Sequence, residues 1–302
     1  MLLAVITVAA IWLGWTMNYL RSLEGQWAAL ERIDAQTETL PDGSGLSYTA
    51  EPATVLGSDL PGRLNPKWRL VHSLDAEYEV KTRDAAREIP AFPHLVKLEL
   101  GDASLTDYDL ETLASLRELK DLTISSHFVT GKFLGGGTLA DTLEVLRIES
   151  QELDSHGMRQ LGKCTHLKTL FFCDDHPVGI RQGISDWSFL NHLTELEDLT
   201  LLGDFPDEAL AALEKMPRLR RLTVQSGRLT DKGVAEIAKC QSIEELQTGL
   251  ILTEPISVSM QSMKNLKSVT FFGSEIMPAD LEKARPGLKV IFPTFGPGPG
   301  SP

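Results

Sequence analysis

The chain has 302 residues, 24% charged and 42% hydrophobic, an ordinary globular composition with ample material for a buried core. Its formal net charge of −13, with no short Lys/Arg cluster, excludes DNA or RNA as a main partner, because phosphate binding needs a basic surface. Three cysteines, Cys164, Cys173 and Cys240, form no C-x-x-C, which excludes a disulfide framework and any recognisable zinc spacing.

The first twenty residues, MLLAVITVAAIWLGWTMNYL, carry no charged side chain. A helix of that length covers about 30 Å, the hydrocarbon thickness of a bilayer. Trp12, Trp15 and Tyr19 lie toward its end, where an aromatic belt belongs. No basic residue precedes the run and no Ala-x-Ala follows it, so residues 1–20 are predicted to be an uncleaved, single-pass transmembrane anchor. Arg21 and Arg32 follow it, which favours a cytoplasmic C-terminal body, although Glu24 and Glu31 sit among them. Leu20, Leu23, Trp27 and Leu30 keep 3-4-3 spacing, so the helix is expected to run on to about Ile33. It lies within a juxtamembrane and linker segment, 21–47, that ends in the turn-rich LPDGSGLSY.

From Leu95 the pattern L-x-x-L-x-L recurs, with conservative swaps, at Leu119, Leu143, Leu167, Leu196 and Leu219. Weaker copies open at Ile243 and Leu266 and a truncated one at Leu288, giving steps of 24, 24, 24, 29, 23, 24, 23 and 22 residues. Ten residues after an opening stands an apolar residue followed by a capping residue, as in Leu105-Thr106-Asp107, Leu153-Asp154-Ser155 and Leu229-Thr230-Asp231. Such Thr and Asp side chains are expected to be helix N-caps, accepting from the unpaired first N–H groups. One unit cannot bury its own apolar edge, so the units, 94–292, must stack and share a core. Residues 48–93, with Trp68, Leu70, Val71, Ile89 and Phe92, have the apolar content to seal the first unit. The LKVIFP strand and Pro293 close the last, ahead of a Gly/Pro tail, 293–302, expected to be disordered.

On these repeats the chain resembles leucine-rich repeat proteins of the cysteine-containing type. The resemblance implies an α/β solenoid, with one short parallel strand and one convex helix per unit. With the apolar leader, the chain also resembles the membrane-anchored leucine-rich repeat proteins of planctomycete bacteria. Adaptors with an F-box carry the same repeat type, but 48–93 does not look like an F-box.

No catalytic motif is present: there is no G-x-S-x-G, Walker loop, H-E-x-x-H or G-x-G-x-x-G opening a helix. The fourth repeat carries seven extra residues after its strand, within 173–187. Asp174, Asp175 and His176 there invite a metal, but three adjacent residues rarely converge on one ion, and no metal, cofactor or catalytic residue is assigned. An enzyme with its site in that loop or in the capping region, using His176 or His72, is the alternative.

The favoured expectation is a non-catalytic protein-binding module using the concave face of the solenoid. The leucines point inward, and the middle outward position of each strand reads Glu99, Thr123, Arg147, Phe171, Thr200, Thr223, Gln247 and Thr270. Phe171, flanked by Arg147, is the expected hot spot, with Phe272 as a second aromatic. Cys164 and Cys240, three residues ahead of their strands, are read as register marks in the buried turn, and all three thiols are expected to be unbridged.

Overall fold

A computed structural model describes residues 2–34, 46–52, 69–76, 86–101, 104–174, 184–249, 254–272 and 285–292. Within these, the side chains of 2–12, 33–34, 46–52, 69–76 and 254–257 are not described. The inserted loop around Asp175 and His176, Trp68 and the tail from Pro293 therefore lie outside the described residues, and Leu70, Val71 and His72 are placed only as residues of a strand.

Among the described residues, the repeats and the segment ahead of them form one sheet of 11 strands in sequential order. The first two, β1 (Leu46–Pro52) and β2 (Arg69–Ala76), form an antiparallel pair. From β2 every neighbour runs parallel: β3 (Lys97–Gly101), β4 (Asp121–Ser125), β5 (Val145–Ser150), β6 (Thr169–Asp174), β7 (Asp198–Leu202), β8 (Arg221–Gln225), β9 (Glu245–Thr248), β10 (Ser268–Phe271) and β11 (Lys289–Ile291). This is the expected α/β solenoid of leucine-rich repeats. The inward side chains of L-x-x-L-x-L, from Leu95, Leu98 and Leu100 to Leu219, Leu222 and Val224, are at most 1% exposed and join one continuous core. Each fully buried side chain of this size contributes about 1.5–3 kcal/mol.

The convex side differs from one helix per unit. Ser155–Leu161 and Asp231–Lys239 are α-helices, and each opens on a side-chain cap. Asp154 accepts from the Gly157 N–H at 2.7 Å, and Thr230 accepts from the Lys232 N–H at 3.2 Å. Lys132–Gly135, Ser188–His192 and Asp207–Lys215 wind instead as 3-10 helices, entered at Gly131, Trp187 and Pro206, none of which caps with its side chain. First-turn N–H groups there find acceptors elsewhere: Phe133 donates to Asp107 of the preceding repeat and Ser188 to Asp186, both at 3.0 Å.

Two acidic residues that open convex segments bridge to the following repeat. Asp107 accepts from the Thr130 N–H (2.8 Å) and the Phe133 N–H (3.0 Å) of the next repeat. Asp207 likewise takes the N–H and hydroxyl of Thr230 at 2.9 and 2.6 Å. Serines at the strand ends add a second bridge: the hydroxyls of Ser126, Ser150 and Ser226 donate to the carbonyls of Leu105, Val129 and Phe205 in the preceding repeat at 2.7–2.8 Å.

At the N-terminal end, α1 runs unbroken from Leu2 to Asp34. Leu20, Leu23, Ala29 and Leu30 are buried, Trp27 packs on the core, and Arg32 meets Glu88 at 2.6 Å. Ile89 and Phe92 are fully buried beneath it. Among the described residues no helix is long and apolar enough to cross a membrane, and the side chains of the first twelve residues are not part of that set. At the far end Arg285 closes the stack, its guanidinium donating to the carbonyls of Met263, Lys264 and Leu266, while Phe292 stacks on Phe271 with ring centres 5.8 Å apart.

Candidate functional site: the concave sheet

The parallel register turns the sequence column into a physical one. Glu99, Thr123, Arg147, Phe171, Thr200, Thr223, Gln247 and Thr270 pair strand to strand without a slip. Adjacent strands lie about 4.8 Å apart, so the run from Glu99 to Gln247 spans roughly 29 Å. Phe272 stands apart: it follows the end of β10, donates its N–H to the Thr248 carbonyl at 2.8 Å, and is roughly 19 Å from Phe171 across the strands between. The two aromatics do not form one hot spot.

Arg147 is engaged with Asp121 at 3.0 Å, one strand away from Phe171. Arg221 pairs with Asp198 at 2.8 Å, a contact that raises its already high pKa further. Glu99 lies 3.7 Å from Lys97. Between the two arginine pairs the charges stand at the rim, where Glu149 pairs in register with Cys173. Val145, Thr169, Phe171, Cys173, Thr200 and Leu202, all half-buried, form an apolar island at the centre of the face. Val145, Cys173 and Leu202 were not singled out from sequence, because they lie in the rows beside the middle column; writing all three outward rows side by side shows them.

Phe171 and Leu202 stand over a rigid floor. Phe172, Trp187, Phe189 and Phe205 cluster beneath, with ring centres 5.7–6.4 Å apart, and the Trp187 indole N–H donates to the Ile184 carbonyl at 3.1 Å. The insertion leaves the stack at Asp174, which is buried, and rejoins it at Ile184, also buried, so its two ends are fixed beside the island.

The strands' entry edge carries the strongest electrostatics. The residue just before each strand offers its carbonyl to two N–H groups of the next repeat; the Lys120 carbonyl, for one, accepts from Glu144 and Val145, both at 2.9 Å. The side chains at these positions alternate in sign: Lys120, Glu144, Lys168, Glu197, Arg220, Glu244, Lys267. Glu144 sits between Lys120 (2.8 Å) and Lys168 (2.6 Å), and Glu244 between Arg220 and Lys267. The two lysines hold the Glu144 carboxyl at about 2. A cleft of about 350 Å³ opens here, lined among others by Lys120, Glu144, His166 and Lys168. Its charges are already matched to one another, which suits a register device better than a ligand site.

Two of the three thiols, Cys164 and Cys240, are buried. Burial pushes Cys164 up to about 12 and raises Cys240 as well, and no disulfide joins any of the three cysteines. Their position, three residues ahead of the repeat opening, is filled in other units by Phe92, Leu116, Leu193, Met216 and Met263, all buried. Among the described residues no group of three His, Cys, Asp or Glu is placed to hold a metal ion.

No family model matches the chain. No curated protein matches it either. Among solved structures it is similar to an internalin (inlF) of Listeria monocytogenes at 15% identity and TM-score 0.47, over 67% of this chain and 55% of that one. A second internalin of that organism, internalin C2, gives 17% identity and TM-score 0.45 over 69% of this chain and 84% of that one. The plant peptide hormone receptor RGFR1, solved in complex with RGF2, gives 20% and 0.41 over 68% and 33%. The chain spans about half the length of the inlF internalin.

Proposed function

We propose that this protein is a membrane-anchored, non-catalytic recognition module whose concave sheet binds a protein partner. The observation that carries the reading is the apolar island around Phe171 and Leu202, set between the Asp121–Arg147 and Asp198–Arg221 pairs on an otherwise polar face. An apolar centre with a charged rim is how protein interfaces are built, with aromatic residues carrying most of the energy. The rigid aromatic floor beneath lowers the cost of holding Phe171 in a binding-ready position. The uncharged leader supplies the anchor, and the arrangement fits the cysteine-containing, anchored repeat proteins of planctomycete bacteria that the sequence resembles. The body is placed on the cytoplasmic side, where Arg21 and Arg32 follow the anchor and unbridged thiols persist.

A photo-crosslinking amino acid placed at Phe171, at Thr223 and, as a convex control, at Glu236 tests this in membranes of the source cell. One adduct is expected from the two concave positions, absent from the control and lost when Leu202→Asp is added to the Thr223 probe. Equal adducts from Glu236, or indifference to Leu202→Asp, would sink the concave-face reading.

A further inference from the structure

The helix that carries the uncharged leader is also built into the body of the protein, and the two roles overlap along its length. Thr16, Leu20 and Leu23 are 8%, 7% and 0% exposed, so the body already covers α1 at Thr16. The first charged residue, Arg21, comes five positions later, about 7.5 Å along the helix at 1.5 Å per residue. Thr16 and Leu20 both belong to the uncharged run read as the anchor, so the anchoring stretch and the packed stretch share this turn of the helix.

The surface around that turn is apolar on both sides of the packed stripe. At about 100° per residue, Leu13 and Met17 lie on one flank and Trp15 and Tyr19 on the other. Leu13, Trp15 and Met17 are 56%, 65% and 44% exposed, and the Trp15 and Tyr19 rings stack with centres 6.0 Å apart. A second copy of the chain would cover one flank. Lipid wraps both. Lower down, Trp27 on the core and the Arg32–Glu88 pair fix the helix to the first repeat, and no break separates the two halves.

We propose that a lipid bilayer is the partner of this second surface, with the end of the solenoid seated directly in the headgroup layer at the level of Trp15 and Tyr19, docked and inserted at once. The inference rests on the anchor reading above and goes beyond it, since a tether would allow the body to swing freely. A fixed seat gives the concave face a constant attitude to the membrane and restricts its partner to a matching geometry.

The test uses the full chain in vesicles of phosphatidylcholine with one fifth phosphatidylglycerol, in a Cys173→Ser background where the remaining two thiols are buried. Single cysteines replacing Leu13, Trp15, Met17 and Glu31 carry an environment-sensitive fluorophore, and nitroxide lipids act as quenchers. Quenching of at least about fivefold is expected at Leu13, Trp15 and Met17, with little at Glu31. In a second arm, Arg32→Cys/Glu88→Cys is bridged by a bis-maleimide, and flotation of the bridged protein with the vesicles is expected to match the unbridged one within about twofold. A tenfold loss on bridging would mean the helix must leave the body to insert, and quenching confined to one flank would mean a second copy covers the other; either overturns the seat while leaving the anchor. Failure of the unmodified chain to float removes the anchor itself.

Discussion

Replacing Glu144 by Gln removes the negative charge between Lys120 and Lys168 while keeping the shape of the side chain. A carboxyl moved from 4.5 to about 2 corresponds by linkage to about 3.4 kcal/mol if all of it were folding energy. Both lysines, however, are about half exposed, at 57% and 47%, and solvent screens them. Exposed pairs reach only about 0.2–1 kcal/mol each, so Glu144→Gln is expected to cost about 1 kcal/mol, or about 2–4 °C in Tm for a body of this size. The folded-state pKa lies below the unfolded one, so the stabilisation is complete above about pH 4.5 and fades as pH falls toward about 2. Urea titrations of both proteins at pH 7, 4 and 2, with and without 1 M salt (Debye length about 3 Å), should show the gap at pH 7 in low salt, narrowing at pH 4 and absent at pH 2 or in high salt. A gap that persists at pH 2 would refute the charge argument and point to packing; no gap at pH 7 would show the ladder adds nothing to stability.

Other consequences of the stacking are sharper. Gly157→Ala places a Cβ about 1.9 Å from the Thr130 carbonyl oxygen of the preceding repeat, and backbone cannot give way cheaply; a loss of more than about 3 kcal/mol is expected by chemical denaturation. Asp107→Ala strips acceptors from two N–H groups of the next repeat and should cost about 1.5–3 kcal/mol, with faster amide exchange at Thr130 and Phe133 as the specific sign. Cys240→Ala should cost about 1–2 kcal/mol and leave membrane association and crosslinking at Thr223 unchanged, because a small buried side chain is lost and nothing reactive goes with it. Loss of crosslinking with unchanged stability would contradict the structural role of this cysteine.

The residues that were legible in the sequence are those that repeat, and the reason is physical. Each unit must present the same inward leucines to its neighbours, so the period, the phase and the alternation that puts Thr123, Arg147 and Phe171 on one face are imposed nine times over. The same constraint makes the charge ladder legible in hindsight: Lys120, Glu144, Lys168 and Glu197 align as soon as the units are written under one another. Asp107 was legible only as part of a capping triplet and Asp207 not at all, since reaching the next repeat depends on how closely two units stack, which no single unit encodes. The convex segments depart from the one helix per unit that the resemblance supplies: side-chain caps at Asp154 and Thr230 precede α-helices, while 3-10 turns follow Gly131, Trp187 and Pro206.

A binding surface has no such redundancy. Phe171 and Leu202 each occur once, and what makes them a site is the apolar cluster they form with Val145 and Cys173 inside a rim of Arg147, Glu149 and Asp198, a property of three rows taken together. The insertion beside them breaks the period at that same repeat, with Trp187 and Ile184 buried to hold its return. A repeat protein that needed only to stack would lose nothing by keeping the 24-residue step there. The departure from the rule, fixed at both ends and adjoining the apolar island of the concave face, is where selection for something other than stability is expected to leave its mark.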